Sequence, residues 1–470
     1  MLRKLLESPW TYFVGAALLL VLALWTQFEI AGPAWPAGSA ADIAKLRDRK
    51  DLNVVFLVVD TLRADRLGAY GYGRPTSPAI DALAHSGIVF RHVYSQSSWT
   101  KTSMASIWTG TYPAKNGVLR YDQVLPEEAL LPAEILKSAG FRTAGLWRNG
   151  WVAPNFGFQQ GFEFYVNPKP GREREQMQRN HPSPESLSGT DEDLQESATA
   201  FLSSYGRERF FLYVHYMDLH QYVFDDQAPD LGNAYSDAYD KSISWIDRLI
   251  GALVSELEKQ GVLDRTLIVI AADHGEAFRE HGHEGHAQDL HREVAEVPWV
   301  IALPFRLDPG IVVEERVANA DIWPTLLDLL GLPALQGADG RSLLPLIEHA
   351  AGLTAQAPLE LTSRPIFSQL DRRWGAPKEK PDPLIAVTDG NLRFFLPVAK
   401  PEAAELFDSA SDPGEMSNLA TQRPEDVTRL RTLADGYLEQ SQSPWGTPPA
   451  QVEIDELRLN QLRALGYIIK

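Results

Sequence analysis

The chain has 470 residues, which is enough for one large α/β domain with a smaller appendage. Its composition, 44% hydrophobic and 23% charged, is that of a globular protein. The net charge of −18 argues against nucleic acid as a partner, because no basic face is evident. The absence of cysteine excludes disulfides, thiolate metal sites and cysteine nucleophiles.

The N-terminal segment differs from the rest of the chain. Residues 10–28 contain no charge and have the length of one helical membrane crossing, which needs about 20 residues. Arg3 and Lys4 precede this span, so the positive-inside rule places the N-terminus in the cytoplasm. A cleaved signal peptide is the alternative, because small residues follow the span. We expect a single-pass signal anchor in the inner (cytoplasmic) membrane, with a periplasmic catalytic domain.

Apolar runs rich in β-branched and aromatic residues predict strands that are buried on both faces. These runs are residues 53–59, 210–216, 266–272 and 297–303. Amphipathic segments lie between them, the clearest from Asp240 to Gln260. The alternation predicts an α/β fold with a mostly parallel central sheet and helices on both faces.

Composition also divides the chain into parts. After about Pro381 the pattern changes to short strands followed by a helical tail, which predicts a small C-terminal α+β subdomain. The polar, proline-bearing residues 171–193 predict an exposed excursion, with a helix opening near Asp191. The expected parts are a cytoplasmic tail (1–9), a transmembrane helix (10–28), a linker (29–50), a catalytic domain (51–380) and the C-terminal subdomain (381–470).

Residues with metal-binding side chains follow several of the predicted strands. Asp60 follows the first run, His215 and His220 lie at and just beyond the end of the second, and Asp273 and His274 follow the third. In an open α/β sheet, ligands bind beyond the carboxyl ends of the strands. Five of the eleven histidines also lie within residues 274–291, which indicates metal binding, with a solvated loop as the competing interpretation.

Several stretches together resemble one protein family. They are residues 53–118 (beginning NVVFLVVDTLRADRLGAYG and ending TGTYPAKNGV), FFLYVHYMDLH at 210–220, AADHGE at 271–276 and ELFDSASDPGEMSNLA at 405–420. In this order they resemble the sulfatase family of the alkaline-phosphatase-like superfamily. Each motif alone is weak, but their number and order make the resemblance specific across about residues 52–470. It implies a sulfatase-like fold and metal-dependent ester hydrolysis.

By position, the resemblance places the nucleophile at Thr100. Sulfatases read Cys-x-Pro-x-Arg there and oxidise the cysteine to formylglycine, whereas this chain reads Thr-Lys-Thr-Ser-Met from residue 100. The cysteine, the proline and the arginine are absent, and no nearby serine has the required context, so formylglycine chemistry is not available. A threonine here resembles the phospho-transferring relatives, such as phosphoethanolamine transferases and lipoteichoic acid synthases. A helix start and a bound cation would both favour an alkoxide at Thr100.

The resemblance also implies a set of ligands for one divalent metal. These ligands are Asp60, Thr100, Asp273 and His274. An imidazole among the ligands favours Zn²⁺ or Mn²⁺ over Ca²⁺. Calcium-binding sulfatases carry an asparagine and a second aspartate where this chain has His274 and Thr61. This difference also favours Zn²⁺ or Mn²⁺ over Ca²⁺.

Two further histidines and the residue next to Thr100 complete the predicted catalytic set. His220 and His286 match histidines that, in the phospho-transferring relatives, face the substrate or hold a second metal. We expect them to act as oxyanion or leaving-group partners. Lys101 adjoins Thr100 and could neutralise a non-bridging oxygen, or it could point to solvent. Asn149 is a weaker candidate for a substrate contact.

The expected function is hydrolysis of a phosphate monoester or diester through a covalent Thr100 intermediate. A sulfate ester is the less favoured substrate, because a threonine sulfate lacks the release step that formylglycine provides. One alternative is a phosphoethanolamine- or glycerophosphate-type transferase acting on envelope lipid or glycan, although such enzymes usually carry several membrane spans. The other is a catalytically silent binding subunit. Protein partners, the natural substrate and the oligomeric state stay open.

Overall fold

The computed structural model describes Phe13 and residues 35–169, 189–376, 378–440, 444–446 and 450–454. Within those ranges, no helix combines the length and the apolar composition that a membrane crossing requires. The predicted tail (1–9) and, apart from Phe13, the predicted span (10–28) lie outside the described residues. Most of the predicted polar excursion, residues 170–188, also lies outside them.

The strands of the described chain fall into two main sheets and two short pairs. They are β1 (Asn53–Val59), β2 (Ile88–Tyr94), β3 (Gln123–Val124), β4 (Arg142–Trp147), β5 (Phe164–Val166), β6 (Phe210–Tyr216), β7 (Thr266–Ala271), β8 (Ala277–Phe278), β9 (Glu284–Gly285), β10 (Glu296–Ala302), β11 (Ile311–Ala318), β12 (Ile366–Asp371), β13 (Pro383–Asp389), β14 (Leu392–Pro397), β15 (Glu405–Asp408) and β16 (Ala450–Gln451).

Helices connect and cover these strands. They are α1 (Ala40–Ile43), α2 (Pro78–His85), α3 (Thr100–Thr109), α4 (Pro113–Asn116), α5 (Pro132–Ser138), α6 (Asp191–Tyr205), α7 (Tyr235–Lys259), α8 (Arg292–Ala295), α9 (Ile322–Leu329), α10 (Leu344–Ala350), α11 (Leu359–Thr362) and α12 (Pro424–Leu438).

The central sheet has eight strands in the order β11-β2-β10-β7-β1-β6-β4-β5. Its pairs are parallel except for those of β10, which runs antiparallel to both β7 and β2. Every residue of β1 and β6 is buried, because helices cover both faces of the sheet. The predicted mostly parallel sheet is therefore confirmed. The reversed direction of β10 was not predicted, since a continuous apolar run carries no sign of strand direction.

The predicted start of one helix agrees with the structure, and that of another is several residues late. Helix α6 begins at Asp191, and Asp193 accepts a hydrogen bond from the backbone N–H of Thr190 at 2.8 Å. Helix α7 begins at Tyr235, five residues before the predicted start at Asp240. Its extra turn is held by the Asp237 carboxylate, which accepts from the backbone N–H of Ala234 at 2.7 Å.

Part of the predicted linker is packed onto the core, so that prediction was wrong for this stretch. Residues 40–48 form helical turns in which Ile43 and Leu46 are buried in the main hydrophobic core. An isolated bridge joins Ala37 to Arg306. Two apolar side chains three positions apart are too weak a periodic signal to predict this turn from sequence.

The second sheet confirms a small α+β unit at the C-terminal end. Its four strands are antiparallel in the order β12-β13-β14-β15, and α12 packs against it through Leu430 and Tyr437. The sheet begins at Ile366, so the predicted boundary at 381 was one strand late. Strand β12 also binds the central domain, because the backbone N–H of Gln369 donates to the carbonyl of Gln96 at 2.8 Å.

The β8–β9 hairpin is tied to the C-terminal subdomain through His281. Its Nδ1 lies 2.7 Å from Glu293, its Nε2 lies 3.0 Å from the Glu415 carbonyl, and its ring stacks on His291 with centroids 3.8 Å apart. Burial opposes the charged form of His281. The hydrogen bonds to Glu293 and to the Glu415 carbonyl outweigh this effect and raise its pKa to about 9.

We predict that this contact makes stability depend on pH. The folded-state pKa of His281 lies above its ordinary value of about 6.5. The contribution to stability is therefore complete below about pH 6.5 and is lost as the pH rises through about 9. The thermal midpoint should fall over this window, and the fall should be smaller in His281→Leu. The exposed His85→Leu is the matched control, and an unchanged slope in His281→Leu would refute the assignment.

Candidate active site

Two buried carboxylates and one imidazole meet at the carboxyl ends of β1 and β7. Asp60 directly follows β1, and Asp273 and His274 lie just beyond β7. All three side chains are fully buried, and one ligand atom from each lies within 4.8 Å of the other two. β1 and β7 are adjacent and parallel, so residues that follow them meet at one edge of the sheet.

The donor atoms of this cluster fit a divalent cation. Oδ1 of Asp60 and Oδ2 of Asp273 are buried and have no hydrogen-bond partner within the described ranges. Nδ1 of His274 lies 3.0 Å from the Gly275 carbonyl, which places the ring proton there and leaves the Nε2 lone pair directed at the carboxylates. Nε2 is 3.5 Å from Asp273 and 3.8 Å from Asp60. Two carboxylates and one neutral imidazole are a ligand set that suits Zn²⁺ or Mn²⁺.

The backbone around the cluster orients Asp273. Thr61 has a positive φ of 62°, which is uncommon for a β-branched residue, and its N–H donates to Oδ1 of Asp273 at 3.3 Å. The N–H of His274 donates to the same oxygen at 2.9 Å. The carbonyl of Thr61 accepts from the Tyr239 hydroxyl at 2.6 Å. These bonds occupy Oδ1 of Asp273 and leave Oδ2 facing the cluster.

The two carboxyl groups differ in their electrostatic environment. Burial alone would raise the pKa of Asp60, but the hydrogen bond to His215 and the charges of nearby imidazoles hold it below its ordinary value. Burial raises the pKa of Asp273, and the neighbouring charge of Asp60 raises it further. Two like charges in a dry site are unfavourable, so a bound cation would stabilise the ionised form of both.

Thr100 lies at the start of α3, facing the cluster. Its hydroxyl oxygen is 3.2 Å from Nε2 of His274 and accepts from Nδ2 of Asn149 at 3.3 Å. Helix α3 is fixed to the β7 loop, because the Ser103 hydroxyl donates to the Asp273 carbonyl at 2.6 Å. The predicted nucleophile and the predicted metal ligands therefore lie together in the structure.

Asn149 links Thr100 to Asp60, a role that sequence reasoning did not assign. Its amide donates to both Asp60 and Thr100. Its own orientation is set by the next turn, because its Oδ1 accepts from the N–H of Trp151 at 2.8 Å. The signal in the sequence was its position two residues beyond β4, at the same edge of the sheet.

His220 and His286 form a second layer beside the cluster. Their ring centroids are 4.9 Å apart, and the ring of His286 is 4.6 Å from that of His274. Burial lowers the pKa of His220 to about 4. Burial also acts against the charged form of His286, but Glu276, 3.3 Å from its Nδ1, raises the pKa of His286. The pair thus holds one neutral ring and one ring that protonates readily.

Lys101 does not occupy the position predicted for it, neither at a substrate oxygen nor in solvent. It is fully buried, and its ammonium donates to the carbonyls of Tyr121 at 2.6 Å and Arg120 at 3.4 Å. The ammonium also lies 3.7 Å from the ring centroid of Phe156. Burial lowers the pKa of Lys101 well below its ordinary value. The reason is geometric: successive residues on a helix point about 100° apart, so Lys101 cannot face the cluster that Thr100 faces.

Two neighbours of the cluster were given no catalytic or metal role from the sequence, although His215 was noted at its strand end. His215 lies in β6 with Nε2 3.3 Å from Asp60 and Nδ1 2.7 Å from the Tyr213 hydroxyl. Glu276 contacts His286 as described above. The alternation of β6 could have revealed His215, since residues 213 and 215 share a face, but the parallel register that pairs Val58 with His215 is a tertiary fact.

Comparison with known proteins matches the sulfatase family over residues 52–332. The chain is 25% identical to an ulvan-active sulfatase of Formosa agariphila over 74% of this chain and 75% of that protein. It is 28% identical to arylsulfatase K of Xenopus laevis over 40% of this chain, and it spans only 35% of that protein's length. The phosphonate monoester hydrolase of Silicibacter pomeroyi shares the fold, with a TM-score of 0.66 at 21% identity over 84% of this chain and 97% of that one.

The family match covers more than half of the chain and includes β1, α3 and β7, the elements that carry the carboxylates and the threonine. The fold resemblance extends over nearly all of the relatives' structures, from sulfatases to phosphonate monoester hydrolases. The chain belongs to the sulfatase family, a family of ester-bond hydrolases.

Proposed function

We propose that this protein is a metal-dependent hydrolase that cleaves a phosphate monoester or diester through a covalent intermediate on Thr100. The observation that carries this proposal is the position of the Thr100 hydroxyl, 3.2 Å from Nε2 of His274 and beside two buried carboxylates with free oxygens. A hydroxyl at a helix start, next to a cation site, is placed to act as a nucleophile.

Asp60, Asp273 and His274 would hold the cation together with Thr100, and Mn²⁺ and Zn²⁺ suit these donors best. When bound, the cation would polarise the ester and favour the ionised form of the Thr100 hydroxyl. Asn149 supports the same oxygen, because its amide N–H points at Thr100 and can donate to the developing charge.

The chain supplies the remaining steps. The oxygen of Thr100 attacks phosphorus, forms an oxygen–phosphorus bond and expels the alcohol, whose oxygen takes a proton from a nearby acid. His286 suits that role, since Glu276 raises its pKa, while His220 can donate a hydrogen bond to a non-bridging oxygen. Water then attacks phosphorus with His286 as base and breaks the bond from phosphorus to the Thr100 oxygen. This step releases phosphate from a monoester substrate, or a phosphate monoester from a diester, and restores Thr100. A second metal held by His220 and His286 is the alternative role for this pair.

The choice of phosphorus over sulfur depends on the residue at position 100. The family fold includes both sulfatases and phosphonate monoester hydrolases, so the fold alone does not select the ester. The chain contains no cysteine, and no serine near position 100 has the sequence context that formylglycine formation requires. A threonine sulfate has no hemiacetal collapse to release it, whereas a phosphothreonine can be hydrolysed by an in-line water. The substrate is a small-molecule or envelope ester on this proposal.

Metal binding tests the ligand set without any substrate. The purified protein should bind one equivalent of Mn²⁺ or Zn²⁺, and His274→Ala should lower that affinity by about 100-fold, since one donor is lost from a buried site. His283→Ala, an exposed histidine on the neighbouring loop, is the matched control. Unaltered affinity in His274→Ala would refute the site, and a protein that binds neither metal would favour the silent binding subunit.

A substrate panel tests the nucleophile and the ester class. Aryl phosphate monoester, phosphate diester, phosphonate and sulfate substrates should show turnover of a phosphorus ester. Thr100→Ala should lower kcat by about 10³-fold or more, because the covalent route is removed. Thr102→Ala, two residues along the same helix, should retain most of the activity. Undiminished turnover in Thr100→Ala would exclude the nucleophile, sulfate preference would exclude the phosphorus assignment, and transfer to an added alcohol in place of water would identify a transferase.

We also propose that the catalytic domain faces the periplasm, on the basis of the uncharged span at 10–28 and the preceding Arg3 and Lys4. In cells with a permeabilised outer envelope, added protease should degrade the catalytic domain while cytoplasmic markers survive. The protein should also sediment with membranes. A catalytic domain that resists protease until the inner membrane is lysed would contradict this orientation.

A further inference from the structure

We infer that Lys101 is a positioning residue that sets the distance between the nucleophile Thr100 and its hydrogen-bond donor Asn149. This inference rests on the proposed function of Thr100. It concerns a residue that has no place at the substrate and that neither the family resemblance nor the metal site explains.

Burying an ammonium is costly unless its hydrogen bonds are satisfied. The Lys101 ammonium is satisfied by backbone and aromatic partners: the Tyr121 carbonyl at 2.6 Å, the Arg120 carbonyl at 3.4 Å, and the faces of Phe156 and Trp151 at 3.7 Å and 5.8 Å. The side chain therefore connects the first turn of α3 to two separate segments of the chain.

One of those segments carries Asn149. The turn Gly150–Val152 follows it directly, and Trp151 orients the Asn149 side chain through its backbone N–H. The Trp151 ring also packs on Phe156, with centroids 5.7 Å apart. Lys101 thus contacts the aromatic rings of the segment that orients the Asn149 amide towards Thr100.

The contacts form a closed circuit. Thr100 and Lys101 are consecutive in α3, Lys101 contacts Trp151, Trp151 orients Asn149, and Asn149 donates to the Thr100 hydroxyl. If any one of these contacts is lost, the distances between the other residues of the circuit change. A lysine that only filled space would not have contacts that lead to Thr100 both along α3 and through Trp151 and Asn149.

The other segment anchors the circuit to the second sheet. Arg120, whose carbonyl accepts from Lys101, forms a buried ion pair with Asp371 of β12 at 2.6 Å. Trp374, a short distance beyond β12, stacks on Trp99 with centroids 4.5 Å apart, immediately before the nucleophile. The start of α3 is therefore connected to the C-terminal subdomain, through the contact of Lys101 with the Arg120 carbonyl and the stacking of Trp99 on Trp374.

The test is Lys101→Met, which keeps the apolar stem and removes the ammonium. On the aryl ester that the wild type turns over fastest, kcat should fall by about 10- to 100-fold with KM and metal affinity nearly unchanged, as expected when a reacting group moves by about 1 Å. Thr102→Val is the matched control, since it removes a buried hydrogen bond of the same helix, to the Val118 carbonyl at 2.8 Å, outside the circuit. Equal losses of kcat in both variants would overturn the inference.

Phe156→Leu gives a second route if Lys101→Met folds poorly. It removes the ring beneath the ammonium and should lower kcat in the same way, and the double variant should lose less than the product of the two single losses. Independent, multiplicative losses would overturn the circuit.

Crystal structures decide the matter without turnover. In Lys101→Met the distance from Asn149 Nδ2 to Thr100 Oγ1 should exceed about 3.5 Å, while Thr102→Val should keep the hydrogen bond. An unchanged distance in Lys101→Met would overturn the inference even if no ester tested is a substrate. Inactivity of the wild type towards every ester would instead defeat the proposed function and leave this structural comparison to decide on Lys101.

Discussion

Two carboxylates buried side by side impose the constraint on which the rest of this structure depends. Asp60 and Asp273 end adjacent strands, are fully buried, and each keeps one oxygen without a hydrogen-bond partner in the described chain. The desolvation of such ions costs several kcal/mol each, and their mutual repulsion adds to it. Only a bound cation, or protonation of the carboxylates, can offset this desolvation and repulsion. The surrounding groups are arranged accordingly: His274 presents a lone pair, and Asn149 donates to Asp60.

The backbone accommodates this arrangement through strain and close contact. Thr61 adopts a left-handed conformation so that its N–H reaches Asp273, at a cost of about 1–3 kcal/mol. Gly275 has no room for a side chain, since an added Cβ would lie 2.2 Å from the Glu293 carbonyl. A stiff parallel sheet makes such strain tolerable, because β1 is buried on both sides between β6 and β7. The strained residues thus stand where the sheet is most rigid.

The C-terminal subdomain is part of the scaffold of the site. His281 on the β8–β9 hairpin contacts Glu415, and Glu415 pairs with the buried Arg393 of β14. On the opposite side, Arg120 and Asp371 link the segment beneath Lys101 to β12. The two contacts hold the hairpin that leads to His286 and the helix that begins with Thr100. The second sheet thus supports the segments that carry Thr100 and His286, although no residue of that sheet touches Asp60, Asp273 or His274 in the described contacts.

The sequence by itself determined the fold class, the family and the positions of the residues that could hold a metal. Long apolar runs at 53–59 and 210–216 match β1 and β6 residue for residue, because a strand buried on both faces leaves a continuous signal. Asp60, Asp273 and His274 were predictable, since the ends of parallel strands converge whatever the loops do. The absence of cysteine, together with the lack of a serine in the required context, excluded formylglycine without any structure.

Only the tertiary structure decided which side chains face the cluster. Lys101 and Thr100 are consecutive, yet the turn of the helix sends one to the metal ligands and the other into an aromatic cage. His215 looks like one residue of an apolar strand until the register places it against Asp60. The same holds for Ile366, whose strand joined the second sheet through long-range pairing. The direction of a side chain and the partner of a strand depend on packing between distant segments, so local sequence patterns do not predict them.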